Sequence, residues 1–189
     1  MSQAAGSSRG GSGAPVASSP PLTLRLNLDR TGPVRCGEPV PLRISVTNNS
    51  AAPLAMVGVV DGSESALRFP HYLPAISQHD KVVARPPSPE DPLVGPLRTL
   101  DIVRLAPRAS FDPCAGFSGA AYLPLSTFAN FRAAAPGLYR FTLTLNTTSP
   151  RPEAWLGRFN QDLELDAVLA LIGQVPKVEL TSVIDVSII

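Results

Sequence analysis

The sequence predicts an all-β fold of antiparallel strands packed as a sandwich or barrel, and three observations carry that expectation. Proline supplies 21 of 189 residues, about twice its usual ~5 % share, and proline breaks helices and interior ladders while suiting turns and strand edges. Several short segments alternate apolar and polar residues with a period of two, which puts their apolar side chains on one face of a half-buried strand. Turns rich in Pro, Gly and Asn join these segments. With 44 % apolar residues the chain can bury a core, which excludes wholesale disorder. A formal net charge of +1 supplies no basic surplus for phosphate neutralisation, so no nucleic-acid partner is expected.

Residues 1–21 are Gly, Ser, Ala or Pro at 17 positions, too little apolar surface for a core, so a disordered tail is expected there and the β domain spans 22–189. Leu22, Leu24, Leu26 and Leu28 then alternate with polar residues as a first strand, ended by the turn residues Arg30-Thr31-Gly32-Pro33. Val40, Leu42, Ile44 and Val46 define a second strand that Asn48-Asn49-Ser50 closes. Leu54–Val60 is apolar on both faces, the pattern of a central or covered strand.

Residues 61–80, with Pro70 and Pro74, read as a turn followed, over Ala66–Ser77, by an extended loop or edge segment. Val82–Arg85 forms a short strand, and Arg85–Pro96, with five prolines in twelve residues, is expected as an extended surface loop. Further strands follow at Arg98–Leu105 and Ser110–Asp112, with one helical turn around Thr127–Phe131. Tyr139, Phe141, Leu143 and Leu145 mark the cleanest strand. Leu165, Val168, Leu169 and Ile172 fall at helical spacing, which predicts a short helical insertion over 163–172, capped by Asp162 and ended by Gly173. The last strand, 177–188, has one residue too many between Leu180 and Val183 for strict alternation, so a β-bulge is expected there.

The segment Gly37-Glu38-Pro39-Val40-Pro41-Leu42-Arg43-Ile44-Ser45-Val46-Thr47-Asn48 resembles the second strand of bacterial immunoglobulin-like modules. Leu105-Ala106-Pro107-Arg108-Ala109-Ser110-Phe111 resembles their turn before a late strand, and Pro136-Gly137-Leu138-Tyr139-Arg140-Phe141 the start of their penultimate strand. The resemblance implies an immunoglobulin-like antiparallel β-sandwich in which the Tyr139 hydroxyl ties back to upstream backbone. Among named families the chain is most similar to intracellular proteinase-inhibitor-like domains of the BsuPI type, which implies a cytoplasmic, inhibitor-like binding role. It departs from them in placing its only tryptophan, Trp155, in a late segment before the last strand.

The start of the chain lacks the apolar stretch of a secretory signal and no apolar run reaches the ~20 residues of a membrane helix, so a cytoplasmic protein with no membrane partner is expected. A reducing cytosol would keep Cys36 and Cys114 as thiols, with a disulfide between them the alternative in an oxidising compartment. No nucleophile motif or phosphate loop is present, and no cofactor is expected. Both histidines, His71 and His79, lie within 61–80 beside Asp61, Glu64 and Asp80. Their types suit a divalent metal, but their spacing matches no compact ligand motif.

The expected function is therefore a non-enzymatic protein-binding module whose surface is the 61–80 segment, with Phe69 and Tyr72 as aromatic anchors and Glu64, Arg68 and His71 around them. One alternative is a metal-binding domain or metal-dependent hydrolase using His71, His79 and Asp61. Another is a structural subunit of a larger assembly that uses the Pro-rich loop and the tail as contacts.

Overall fold

The computed structural model describes residues 19–86, 88–89, 93–117 and 119–189. Nine strands and two short helices occur among them: β1 (Leu22–Leu28), β2 (Leu42–Asn48), β3 (Leu54–Val57), β4 (His71–Gln78), β5 (Lys81–Ala84), β6 (Ile102–Leu105), β7 (Ser110–Phe111), α1 (Ser126–Ala129), β8 (Gly137–Asn146), α2 (Leu165–Ile172) and β9 (Glu179–Ile188). All strand pairs are antiparallel. They sort into three hydrogen-bonded sheets, ordered β1-β2-β7, β3-β6 and β5-β4-β8-β9.

Alternation decides which side chains meet. Leu24 stands opposite Val46 and Leu26 opposite Ile44, so one face of β1-β2 is buried. In the largest sheet Tyr72 faces Leu145, Ile76 faces Phe141, and Tyr139 faces Val186, and these too point inward. Both inward faces belong to one hydrophobic core, which also takes in Met56, Val57 and Val103 of the small sheet. Residues 55–60 are buried without interruption, as their unbroken apolar run requires. The Tyr139 hydroxyl donates to the Ala135 carbonyl at 2.9 Å, the local tie expected at that strand start.

Several expectations need correction. The segment 71–78 is neither a loop nor an edge segment but strand β4, inside the largest sheet between β5 and β8. Pro74 is tolerated because β5 pairs only with Ile76–Gln78, leaving one side of β4 without a ladder partner at Pro74. β9 runs in unbroken register with β8, so the bulge is absent: Ser182 takes the inward position and its hydroxyl accepts the Leu26 amide, while Val183 turns outward. Residues 99–101 wind into a 3-10 turn, which shortens the predicted 98–105 strand to β6.

Asp162 does not cap α2. Glu164 holds that position in left-handed conformation, and its carboxylate instead accepts the backbone and hydroxyl of Thr99, which hold it below the usual carboxylate range. The expected tail lies mostly outside the described residues. Its last two prolines belong to the fold, because Asn49 donates its backbone amide to Pro21 and its side-chain amide to Pro20. Residues 87 and 90–92 of the Pro-rich segment also lie outside the description. The described part of that segment has no helix or strand and is exposed or half-buried apart from the buried Val94; just beyond it Leu97 is fully buried, and the Gln161 side chain binds both its amide and its carbonyl.

Candidate functional site

Between β3 and β4 the chain folds back through a turn. The Ser63 amide donates to the Val60 carbonyl, the Tyr72 amide donates to the Ser63 carbonyl, and the Phe69 amide donates to the Ala154 carbonyl. That last bond brings the β4 entrance against a 3-10 turn over Pro152–Trp155, a segment distant in sequence. A groove of about 390 Å³ opens between them, lined by Arg68, Phe69, His71, Arg151, Glu153 and Arg158, with Val94 among its apolar members.

Phe69 and His71 form the groove's aromatic wall. Their rings stack at 3.8 Å between centroids with planes 23° apart, and Phe69 also meets the buried Trp155 ring at 6.0 Å. Burial holds the His71 imidazole below the ordinary histidine range, so it is neutral at pH 7.

Arg68 lies beneath, only 3 % exposed. Its Nη1 donates to the Gly95 carbonyl at 2.6 Å, while its buried Nε has no partner. Burial lowers its pKa, opposed by the more distant carboxylates of Asp61 and Asp101. The ion pairs among the described residues use Arg30, Arg43 and Arg140, so none neutralises Arg68, Arg151 or Arg158. Arg151 and Arg158 are exposed.

Backbone contacts make the groove rigid. The Arg158 amide donates to the Val94 carbonyl, and the Gly157 amide donates to the Gln161 side-chain oxygen that also accepts from Leu97. A Cβ on Gly157 would collide with the Gly95 carbonyl oxygen, so only glycine permits this approach.

Of the predicted binding residues, the structure brings Arg68, Phe69 and His71 together. Tyr72 is no surface anchor: it is wholly buried and donates its hydroxyl to the Val57 carbonyl at 2.7 Å, with its phenol pKa raised by burial. Its place on the inward face of β4 explains this. Glu64 is also committed elsewhere: its carboxylate accepts the amides and hydroxyls of Ser126 and Thr127 and so closes the α1 N-terminus. It borders a different cavity, of about 380 Å³, beside Val60 and Leu123.

The alternative metal set is not assembled. His71 opens β4 and His79 follows its last residue, and an extended strand at ~3.3 Å per residue separates them by about 25 Å. Asp61 accepts the Gly95 amide. Among the described residues no group of three or more His, Cys, Asp and Glu side chains stands close enough to hold a metal ion. Cys36 and Cys114 are unpaired, and burial pushes the Cys114 thiol up to about 12, far from a reactive thiolate.

Sequence reading missed Arg151, Glu153, Trp155 and Arg158 as neighbours of the 61–80 segment, and no periodicity joins such distant segments. The one available signal was the sole tryptophan next to Pro- and Arg-rich sequence, a composition suited to a contact surface.

No family model, curated protein or solved structure matches the chain. Among the described residues no helix is long and apolar enough to cross a membrane.

Proposed function

We propose that the chain is a non-enzymatic protein-binding module on an immunoglobulin-like β-sandwich, and that it docks its partner on the groove between residues 66–71 and 151–158. One observation carries the binding reading: the half-buried Phe69–His71 stack stands beside the exposed arginines Arg151 and Arg158, neither of which has an ion-pair partner among the described residues. Aromatic and arginine side chains supply most of the contact energy at protein interfaces. The sandwich reading rests on the inward faces of the three- and four-stranded sheets sharing one core and on the Tyr139–Ala135 tie. The non-enzymatic reading rests on the high thiol pKa of Cys114 and on histidines held at opposite ends of β4. Two unpaired cysteines suit a reducing compartment such as the cytoplasm.

The test is crosslinking in cell lysate followed by mass spectrometry, with wild type beside a folded Phe69→Ala/Arg158→Glu variant. The expected result is a protein captured by wild type and depleted at least ~10-fold with the variant, since loss of an interface anchor costs upward of ~1.4 kcal/mol. Identical capture profiles would remove the groove as the docking surface.

A further inference from the structure

We propose that the groove recognises carboxylate side chains on an acidic peptide segment of the partner. This rests on the protein-binding reading above and adds the chemistry of the occupant.

The inference starts from charge. Among the described residues three guanidinium groups, those of Arg68, Arg151 and Arg158, line one groove with one carboxylate, Glu153. In most proteins a buried arginine is paired, because an uncompensated charge in a low-dielectric interior is costly. Among the described residues Arg68 has a single carbonyl bond, an unpartnered Nε and no carboxylate within ion-pair distance. The carboxylates of Asp61 and Asp101 act on it from farther off and outside ion-pair distance, and an anion seated in the groove above lowers the energy of that buried charge.

Arg151 and Arg158 stand exposed on the same groove, without ion pairs among the described residues, and can bond the incoming oxygens in the forked geometry that guanidinium and carboxylate share.

The remaining features favour a peptide carboxylate over a phosphate. Glu153 lies on the same groove and opposes a dianion more than a single negative charge. His71 is neutral and stacked on Phe69, so that side of the groove offers an apolar wall rather than a further cation. Residues of three segments, 66–71, 94 and 151–158, line the groove, so an extended peptide seated there meets the arginines of more than one segment with its acidic side chains.

The experiment is isothermal titration of the full chain with an acetylated, amidated hexaglutamate peptide and with its hexaglutamine counterpart at low salt. Three proteins are compared: wild type, Arg151→Ala/Arg158→Ala, and a charge-matched control, Arg25→Ala/Arg104→Ala, with folding verified by circular dichroism. The expected result is hexaglutamate binding that weakens at least ~10-fold in the groove variant and less than ~2-fold in the control, with hexaglutamine binding too weak to detect.

Equal losses in the two double variants would mean diffuse electrostatics and overturn the inference. Hexaglutamine binding as tightly as hexaglutamate would also overturn it, while leaving the groove a peptide-docking surface. If wild type binds neither peptide, the carboxylate site is refuted, and the crosslinking comparison judges the protein-binding reading independently. Displacement of hexaglutamate by inorganic phosphate at lower molar concentration would assign the site to phosphate and refute the carboxylate reading.

Discussion

The hydroxyl of Tyr72, at the start of the central strand β4, donates to the Val57 carbonyl at the end of β3, 2.7 Å away. The bond crosses between two sheets and lies wholly in the core, so it helps fix where the groove-bearing end of β4 sits. Tyr72→Phe keeps the ring and strands the carbonyl. It should cost about 1–2 kcal/mol, read as a melting temperature several degrees lower. Partner capture by the folded variant should match wild type, and a selective loss of capture would restore Tyr72 as a contact residue.

Glu64 spans a different junction. Its two carboxylate oxygens receive four hydrogen bonds from Ser126 and Thr127, the first two residues of α1, whose own cap position is the non-capping Leu125. Glu64→Ala removes a charge-assisted cap and should destabilise the fold by roughly 2 kcal/mol. Glu64→Gln retains one accepting oxygen and should fall between, as chemical denaturation would measure. An Ala variant as stable as wild type would show that water replaces the carboxylate at no cost.

Gly157→Ala would drive a methyl group into the Gly95 carbonyl and Pro96 backbone. Because backbone rather than a flexible side chain must yield, the expected cost is about 1–3 kcal/mol, together with weaker hexaglutamate binding as the groove walls separate. Thermal melting and titration on the same sample check both effects. An unchanged melting temperature would mean that the two segments are not packed this closely.

Stability should fall with acidification partly through His71. Burial lowers its folded-state pKa below the unfolded value of 6.5, so below that value the unfolded chain binds more protons. Stability from this group is present above pH 6.5 and is lost as the pH falls through the unfolded value toward the folded one. The Arg68, Arg151, Glu153 and Arg158 side chains share the groove with His71. In His71→Gln the drop in melting temperature between pH 7.5 and 5 (roughly the window set by an unfolded pKa of ~6.5) should be smaller than in wild type. An equal drop in both would place the pH sensitivity elsewhere.

At the other end of the core, Tyr139 is 4 % exposed and bonds the Ala135 carbonyl. Tyr139→Ala removes both the ring packing and the hydrogen bond and should cost about 2–4 kcal/mol. A thermal melt unaffected by this change would remove the tie as a stabilising feature.

Where a strand has one buried face, its apolar period was enough to locate it. β1, β2 and β8 lie within a few residues of their predicted spans because Leu22–Leu28, Val40–Val46 and Tyr139–Leu145 alternate cleanly. α2 was visible for the same reason, with a period near 3.6. β4 escaped because Pro70 and Pro74 resemble loop signals. Whether a proline breaks a strand depends on which side lacks a partner, and β5 supplies that condition only by pairing no further than Ile76.

The groove depended on tertiary structure altogether. Arg68, Phe69 and His71 stood out as candidates because their residue types suit binding, yet nothing local distinguished them from Tyr72 and Glu64. The fold made that distinction by turning Tyr72 into the core, drawing Glu64 onto α1, and bringing Arg151 and Arg158 beside the Phe69–His71 stack. Residue order fixes the period of a strand, whereas burial and charge pairing arise between segments far apart in the chain, and the Phe69–Ala154 backbone bond that aligns these two has no local counterpart in either.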